Sequence, residues 1–345
     1  MKEDWKYSKL GDICDLYQPK TISGDMLVED GEYLVYGANG IIGRYDKYNH
    51  EESEVLLTCR GATCGSINIS EPYSWINGNA MVVHPSNEKE LRKDFIRYYL
   101  ASVDWSKVIT GAAQPQITRQ SLSPLQVACP PLPEQESIVS ELDCLSGVIE
   151  KQKQQLKELD NLIQAIFYDM FGDPITNVKG WEIKRFEECY KLASGQGLSA
   201  KDIVVGAYPV YGGNGIVGYH QEYNLDGDNI IIGRVGALCG NVRNVLGKAF
   251  ITDNAFILTK KITNINTFLL YLLRLHNLRQ YAREAMQPVV SNTGLKNIGI
   301  IIPPLDIQQE FASKVEDIEK QKELIKQSIS ETETLFSSRM DYYFN

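Results

Sequence analysis

Two stretches of the chain repeat apolar residues at helical spacing over a long distance. Between residues 134 and 170, and again between 307 and 343, apolar side chains recur every three or four positions, with Glu, Lys, Gln and Asp between them. This pattern is typical of a helix that pairs with another helix along a narrow apolar seam. We therefore predict two long helices, each about 55 Å in length at about 1.5 Å per residue.

Each predicted seam needs a partner, because a row of exposed aliphatic side chains is not stable in water. The nearest partner is the other helix, and two helices separated by a globular segment can pair in antiparallel. That pairing would relate the two halves of the chain by a pseudo-two-fold axis. The alternative is that each helix folds back on its own globular segment. The residues expected in the pairing seam are Ile138, Leu142, Leu145, Leu156, Leu159, Ile163, Phe311, Val315, Ile318, Leu324, Ile325, Ile329 and Leu335.

A segment rich in short β-branched runs precedes each long helix. Runs such as EVLLTC, MVVH, NIIIG and AFILT are bounded by turn residues and predict strands. Residues 91–102 and 266–285 each predict a shorter helix. The fold class is therefore α+β, with two mixed α/β domains, each followed by a long helix. The predicted bounds are 1–133 for the first domain, 134–178 for the first helical segment, 179–306 for the second domain and 307–345 for the second helical segment.

The sequence contains two copies of one unit. Residues 33–48 (YLVYGANGIIGRYDKY) and 208–223 (YPVYGGNGIVGYHQEY) share nine of sixteen residues at an offset of 175. The same offset relates Gly61-Ala62-x-Cys64-Gly65 to Gly236-Ala237-x-Cys239-Gly240, and an offset of 173 relates Pro130-Pro131-Leu132 to Pro303-Pro304-Leu305. A duplication therefore covers almost the whole chain.

Charge and composition narrow the class of protein. The net charge of −9 divides into −4 and +4 for the two domains and −6 and −3 for the two helical segments. The acidity of the whole chain therefore does not exclude a nucleic-acid-binding face on one domain, although a chain with this charge would bind DNA weakly by itself and would need basic partners. The start of the chain lacks the apolar core of a signal peptide, and no run is long enough to span a membrane. We expect a cytoplasmic protein whose seven cysteines are reduced thiols that pack as small apolar residues.

Motifs for catalysis or for nucleotide binding are weak or missing. Gly213-Asn214-Gly215-x-x-Gly218 fits a dinucleotide fingerprint, but strand and turn formers follow it where a Rossmann fold needs a helix. Asn-Gly between apolar residues instead predicts a hairpin turn. We find no P-loop, nucleophile elbow, zincin motif or amino-methyltransferase tetrapeptide. The sequence therefore predicts no catalytic site and no metal site in this chain.

Polar residues in irregular loops are the remaining candidates for function. Asn and Gln side chains can pair bidentately with adenine, and Arg with guanine. The alternatives are turn formation for the two Asn-Gly pairs and a solvated or structural role for the arginines. The first loop set is Tyr36, Asn39, Arg44, Tyr45, Arg60 and Thr63, with Tyr211, Asn214, Tyr219, His220 and Arg234 as its counterpart. The second set is Gln114, Gln116, Thr118 and Arg119, with Gln287, Ser291, Asn292 and Lys296 as its counterpart.

The order of these features resembles that of the specificity (S) subunits of type I restriction-modification enzymes. The resemblance rests on Trp5-x4-Leu10-Gly11-Asp12, the YxVYGxNGIxG block, RGAxCG, QPQI, and PPLPEQ before a long helix, and it spans both copies. It implies that each domain reads one half of a bipartite DNA target and that the helices set the spacing and dock two methyltransferase subunits. It also implies that restriction subunits join the complex. S-adenosylmethionine, ATP and magnesium would then belong to the partners, and this chain would hold no cofactor.

The second copy departs from this pattern in two places. Phe186-Glu187-Glu188 replaces Leu-Gly-Asp, and PPLDIQQ replaces PPLPEQ, and both changes are conservative for a strand start and a helix cap. Three other classes of protein stay open. They are a recognition subunit of a methyltransferase-only system, a coiled-coil scaffold with no DNA role, and a stand-alone enzyme.

Overall fold

Both long apolar seams form uninterrupted helices, which run from Leu132 to Phe171 and from Leu305 to Phe344. The computed structural model describes residues 5–111, 115–199, 201, 203, 206–283 and 286–344. The chain divides into two units, residues 1–152 with 328–345, and residues 153–327. Each unit therefore contains one globular domain together with parts of both long helices.

The first domain contains three small sheets and three short helices. Its strands are β1 Lys6–Lys9, β2 Cys14–Tyr17, β3 Tyr33–Gly37, β4 Gly40–Tyr45, β5 Val55–Thr58, β6 Ile67–Ile69, β7 Trp75–Ile76, β8 Ala80–Pro85 and β9 Gln126–Cys129. Its helices are α1 Leu10–Ile13, α2 Lys93–Ser102 and α3 Arg119–Leu122, followed by the long helix α4 Leu132–Phe171. The strand orders are β2-β8-β5-β6, β4-β3-β7 and β1-β9. Only the β3–β7 pair is parallel among these described strands.

The second domain repeats this topology strand for strand. Its strands are β10 Ile183–Arg185, β11 Tyr190–Ser194, β12 Tyr208–Gly212, β13 Gly215–His220, β14 Asp228–Gly233, β15 Val242–Leu246, β16 Phe250–Ile251, β17 Ala255–Lys260 and β18 Gly299–Ile301. Its helices are α5 Phe186–Cys189, α6 Asn266–Leu275 and α7 Asn292–Leu295, followed by the long helix α8 Leu305–Phe344. The strand orders are β11-β17-β14-β15, β13-β12-β16 and β10-β18, so the duplication predicted from sequence is a duplication of fold.

One predicted helix is shorter than its apolar pattern suggested. Residues 266–285 were expected to be helical, but α6 ends at Leu275. Asn277 adopts a left-handed conformation with φ of 47°, and a 3-10 turn from Leu278 to Tyr281 follows. Asn is one of the few residues that tolerate this conformation, so it ends the helix although apolar residues continue beyond it.

The long helices α4 and α8 pack against each other in antiparallel orientation within each unit. In the first unit, the Glu141 carboxylate accepts a hydrogen bond from Arg339 at 2.9 Å, and Gln152 Nε2 donates to Ser328 Oγ at 2.7 Å. In the second unit, Lys322 Nζ lies 2.7 Å from Asp160 Oδ1. Rising numbers on α4 thus meet falling numbers on α8, and the predicted antiparallel pairing is confirmed inside both units.

Within each unit, residues of both long helices also belong to the core of the domain. Ile138 and Leu142 are buried with the first domain, and Phe336, Met340 and Phe344 pack against the same core. In the second unit, the core joins Ile163, Phe167, Phe171, Phe311, Val315 and Ile318 to α6 and the strands. The two alternatives weighed from the sequence, pairing and folding back on the domain, are therefore both realised.

Two residues predicted in the seam of α8 lie outside it. Leu324 and Leu335 are 68% and 49% exposed, whereas Ile325 and Ile329 are covered. The covered positions follow alternate spacings of three and four from Phe311 onward, and that register places Lys322 and Thr332 in the seam. Leu324 is one position out of phase with it, so the prediction for both leucines was wrong. Leu145, Leu156 and Leu159 are half-buried on α4.

Candidate nucleic-acid interface

A tight hairpin forms the centre of the candidate interface in each unit. Ala38 and Asn39 form the two-residue turn between β3 and β4, and Gly213 and Asn214 form the turn between β12 and β13. Gly40 and Gly215 follow at φ of +106° and +120°, which glycine adopts without strain. The hairpin interpretation of the Asn-Gly pairs is confirmed, and both asparagine side chains are exposed at the tip.

A second loop lies against the hairpin tip in the first unit. The Thr63 hydroxyl donates to Asn39 Oδ1 at 2.5 Å, and the Thr58 hydroxyl donates to the carbonyl oxygen of Ala38. The Thr63 bond holds the Asn39 side chain to the loop at residues 60–65, and the Thr58 bond holds the backbone of the hairpin tip. Asn39 therefore presents its amide from a fixed position, which favours a defined contact over a mobile one.

A third segment completes this surface. Arg60 and Gln116 form an isolated antiparallel bridge, and the Ile117 amide donates to the Cys59 carbonyl at 2.9 Å. Residues 38–40, 60–65 and 115–119 thus meet although they are distant in the chain. Gln114, which was predicted in this set, lies outside the described residues.

The second unit assembles the same three segments. Val235 bridges Val289, and the Gly236 amide donates to the Pro288 carbonyl at 3.1 Å. The hairpin tip fits closely against this loop, because a Cβ atom at Gly213 would lie 2.6 Å from the carbonyl oxygen of Val235. A cleft of about 480 Å³ opens here, and its lining includes Asn214, Val235, Asn254 and Gln287. Polar groups from three segments therefore converge on one concave surface.

A one-turn helix follows the third segment in both units. Thr118 caps α3 by accepting from the Ser121 amide at 3.1 Å, and Ser291 caps α7 by accepting from the Gly294 amide at 3.2 Å. These two residues from the candidate set therefore have a structural role as helix caps. Arg119, Asn292 and Lys296 lie beside them and are exposed.

Other candidates lie away from the hairpin tips. Arg44 and Tyr45 pair with Leu34 and Tyr33 at the far end of the first hairpin, and Tyr219 and His220 occupy the same end of the second. The Arg44 guanidinium donates to the carbonyls of residues 31 and 32 at 3.1 and 3.2 Å. The structure thus gives Arg44 a structural bond and does not bring these four residues to the convergent surface.

Tyr36 and Tyr211, near the end of the first strand of each hairpin, face inward. Tyr36 is buried, and its hydroxyl accepts from the Glu71 amide at 3.1 Å. Tyr211 is half-buried against the apolar cluster that includes Ile231 and Ile251. Both side chains pack under the hairpin, so packing explains why the two copies share a tyrosine at this position.

The two arginines treated as counterparts occupy different positions of the repeat. At the offset of 175, Arg60 corresponds to Val235, and Arg234 corresponds to the buried Cys59. Successive strand residues face opposite sides, so the two guanidinium groups do not occupy matching sites. Arg60 is exposed, whereas Arg234 Nη1 lies 3.3 Å from both Ser194 Oγ and the Asp253 carbonyl oxygen. The pairing of Arg60 with Arg234 was therefore wrong.

Sequence reasoning missed Arg243, which lies in β15 beside the second hairpin tip. Its Nη2 donates to the Asn214 carbonyl at 3.0 Å, and its guanidinium carbon lies 3.2 Å from the Cβ position of Gly215. The corresponding residue of the first copy is Asn68. Alignment of the two copies could have identified this basic side chain, because an arginine in the second copy replaces a neutral asparagine in the first.

The polar side chains on these surfaces are hydrogen-bonding groups. Among the described residues, no group of three His, Cys, Asp or Glu side chains is arranged to hold a metal ion. Burial raises the pKa of Cys59 to about 11, so this thiol stays neutral beside the loop. None of the helices in the described ranges is long and apolar enough to cross a membrane. Exposed amide and guanidinium groups are among the donors that the convergent surfaces offer.

Comparisons with known proteins agree with this architecture. A family model for the type I restriction modification DNA specificity domain matches residues 2–161 and 178–334. The specificity subunit of the type I restriction enzyme EcoprrI of Escherichia coli is 33% identical over 156 residues, which are 42% of this chain and 39% of that relative. The type I specificity subunit S.HindORF215P of Haemophilus influenzae is 23% identical over 343 residues, which are 91% of this chain and 87% of that relative.

Solved structures show the same fold. The S subunit of a type I restriction-modification system from M. genitalium matches 97% of this chain and 95% of its own with a TM-score of 0.63 at 17% identity. A chain from a type I R-M system studied for complex assembly and conformational transition matches 100% of this chain and 98% of its own with a TM-score of 0.59, also at 17% identity. Because the family model matches both copies of the duplication, this chain belongs to the type I restriction-modification DNA specificity family.

Proposed function

We propose that this chain reads a bipartite DNA target, with one half-site per domain, as the specificity subunit of a type I restriction-modification complex. The observation that carries this proposal is the duplication of the convergent surface, because each unit builds it from the same three segments. Two readers on one chain suit a target that is split in two. Base edges are read by side chains, so two readers with different side chains should read different half-sites.

Two differences between the copies lie at the surface that would face DNA. Arg60 at the first loop is replaced by Val235, and Asn68 is replaced by Arg243 beside the second hairpin. The shared residues of the hairpin support its geometry, as Tyr36 and Tyr211 do from beneath. A common scaffold with exchanged polar side chains is the arrangement that gives two specificities from one fold.

The long helices are proposed to dock two methyltransferase subunits. Their segments carry charges of −6 and −3, which favour partners with basic surfaces. S-adenosylmethionine, ATP and magnesium would be held by the methyltransferase and restriction subunits, and this chain would contribute recognition without catalysis. Adenine methylation without DNA cleavage in the purified assembly would indicate a methyltransferase-only system.

The test is an exchange of one reader. Residues 181–305 are replaced by the matching segment of a relative with a different target, and the chain is produced with its methyltransferase partner. Methylome sequencing should show one changed half-site, with the other half-site and the spacer kept. The matched control exchanges residues 5–132 and should change the other half. A change in both half-sites after a single exchange would contradict independent readers.

A further inference from the structure

The start of each long helix contains a glutamine whose side chain is almost completely buried. Gln135 and Gln308 are 0% and 1% exposed. Each is the fourth residue of its helix, and the two positions are 173 residues apart in the duplication. Glutamine is mostly a surface residue in proteins, so burial of the same glutamine in both copies needs an explanation.

The hydrogen bonds of both amides explain the burial. Gln135 Oε1 accepts from the Arg92 amide at 2.9 Å, and its Nε2 donates to the carbonyls of Glu90 and Pro130, both at 2.8 Å. Gln308 Oε1 accepts from the Ile265 amide at 3.0 Å, and its Nε2 donates to the Pro303 carbonyl at 2.9 Å. All these partners are backbone groups, so the bonds do not depend on which side chains the domain carries.

The hydrogen-bond partners of the two glutamines show which elements each amide connects. Arg92 and Ile265 are the N-cap residues of α2 and α6, the main helices of the two domains. Pro130 and Pro303 lie on the short connection that leads into each long helix. One amide therefore connects three elements: the domain helix, the connection and the long helix. The bonds to the domain helix and to the connection occur in both copies, although Arg92 and Ile265 differ completely in chemistry, and Gln135 adds a bond to the Glu90 carbonyl.

Because each long helix is long, a small change of angle at its start produces a large displacement at its far end. A helix of 40 residues is about 60 Å long, so a change of about 3° at its start moves its far end by about 3 Å. That displacement is close to the rise of about 3.4 Å per base pair of DNA. A loose joint would thus blur the distance between two half-sites by about one base pair.

We infer that Gln135 and Gln308 are positioning residues that fix the angle between each domain and its long helix, and thereby set how strictly the complex measures the spacer. This inference rests on the proposed reading of a bipartite target. The glutamines contact no DNA in this account. They act through the orientation of the domains, so they should affect spacing and leave half-site identity unchanged.

The test uses the full chain assembled with its methyltransferase partner. Gln135→Met and Gln308→Met keep the length of the side chain and remove its hydrogen bonds. Methylation rates are measured on duplexes whose half-sites are intact and whose spacers differ by single base pairs. We expect the ratio of the rate at the best spacer to that one base pair away to fall by about fivefold, the effect of one net hydrogen bond. Discrimination against scrambled half-sites should stay at the wild-type level.

Gln155→Met and Gln309→Met are the matched controls, because both glutamines are exposed on the same helices. A uniform loss of rate at all spacers, with an unchanged ratio, would overturn the inference and assign the glutamines to stability alone. If the Met variants do not fold, Gln→Asn at the same positions shortens the amide by one carbon and is judged by the same ratio. A wild-type complex without a bipartite preference would instead refute the proposed function.

Discussion

Lengthening both long helices at the border between the two units should lengthen the spacer of the DNA target. The border lies between residues 152 and 153 on α4 and between 327 and 328 on α8. These two points face each other, since Gln152 Nε2 donates to Ser328 Oγ at 2.7 Å. Four residues are inserted at each point as copies of residues 149–152 and 324–327. The contacts on either side, Glu141 with Arg339 and Asp160 with Lys322, then keep their partners.

The expected shift follows from helix geometry. Four residues add about 6 Å of helix, and one base pair adds about 3.4 Å, so the preferred spacer should grow by one or two base pairs. Four residues also turn the helix by about 400°, which is about 40° beyond one full turn. An insertion of seven residues returns closer to the original face and should pack better, with a shift of about three base pairs.

Methylome sequencing of cells that express the variant with its partners gives the spacer directly. An insertion in α4 alone is the control, because it shifts one helix against the other and should break the pairing. Circular dichroism establishes that each variant keeps its helices. A folded double-insertion variant that methylates only the original spacing would show that these helices do not set the distance.

Three further changes test individual side chains. Arg60→Ala and Arg243→Ala should each weaken recognition of a different half-site by about 1–3 kcal/mol, measured as binding to DNA with either half scrambled, whereas Arg44→Ala, which loses bonds to carbonyls only, should weaken neither selectively. Phe311→Ala should cost about 3–5 kcal/mol of unfolding free energy, because its ring is fully buried, and Leu324→Ala on the exposed side of the same helix should cost less than about 0.5 kcal/mol; equal costs would contradict the seam described above. Burial lowers the pKa of His276, so the unfolded chain binds the proton more readily, and stability should be full above about pH 6.5 and decline as the pH falls below that value. Urea unfolding at pH 7.5 and 5.5 should show a smaller acid loss for His276→Gln than for wild type, and an identical loss would exclude this histidine as a cause.

Features that repeat along the chain could be predicted from sequence because they depend on local rules. The Asn-Gly pairs predicted both hairpins, and the apolar spacing predicted both long helices within a few residues of their ends. Each pattern occurs in both copies, so two stretches of sequence supported each prediction. These predictions succeeded because turn chemistry and helical periodicity act over a few neighbouring residues.

Features that depend on contacts distant in sequence were harder to predict. Lys322 and Thr332 occupy seam positions of α8, so a search for apolar residues moved the seam to Leu324 and Leu335. Arg243 carries no motif and becomes notable only because β15 places it beside Asn214. The sequence of the polar loops likewise could not separate Thr118, a helix cap, from Arg119 next to it, since only the hydrogen bond to Ser121 distinguishes them.

The first unit is built from two separate segments of the chain, so it can complete its fold only after the second segment has been synthesised. Its domain is made first, but residues 328–344, which supply Phe336 and Phe344 to its core, are made after the whole second unit. Phe95 meets Phe344 at a ring distance of 5.6 Å, so this apolar surface stays open to water until translation has passed it. A chain that stops near residue 327 would present a complete second unit beside an uncovered first one. Exposed apolar surface makes a chain prone to aggregation, so a chain truncated at this point should be recovered in soluble form less well than the full chain.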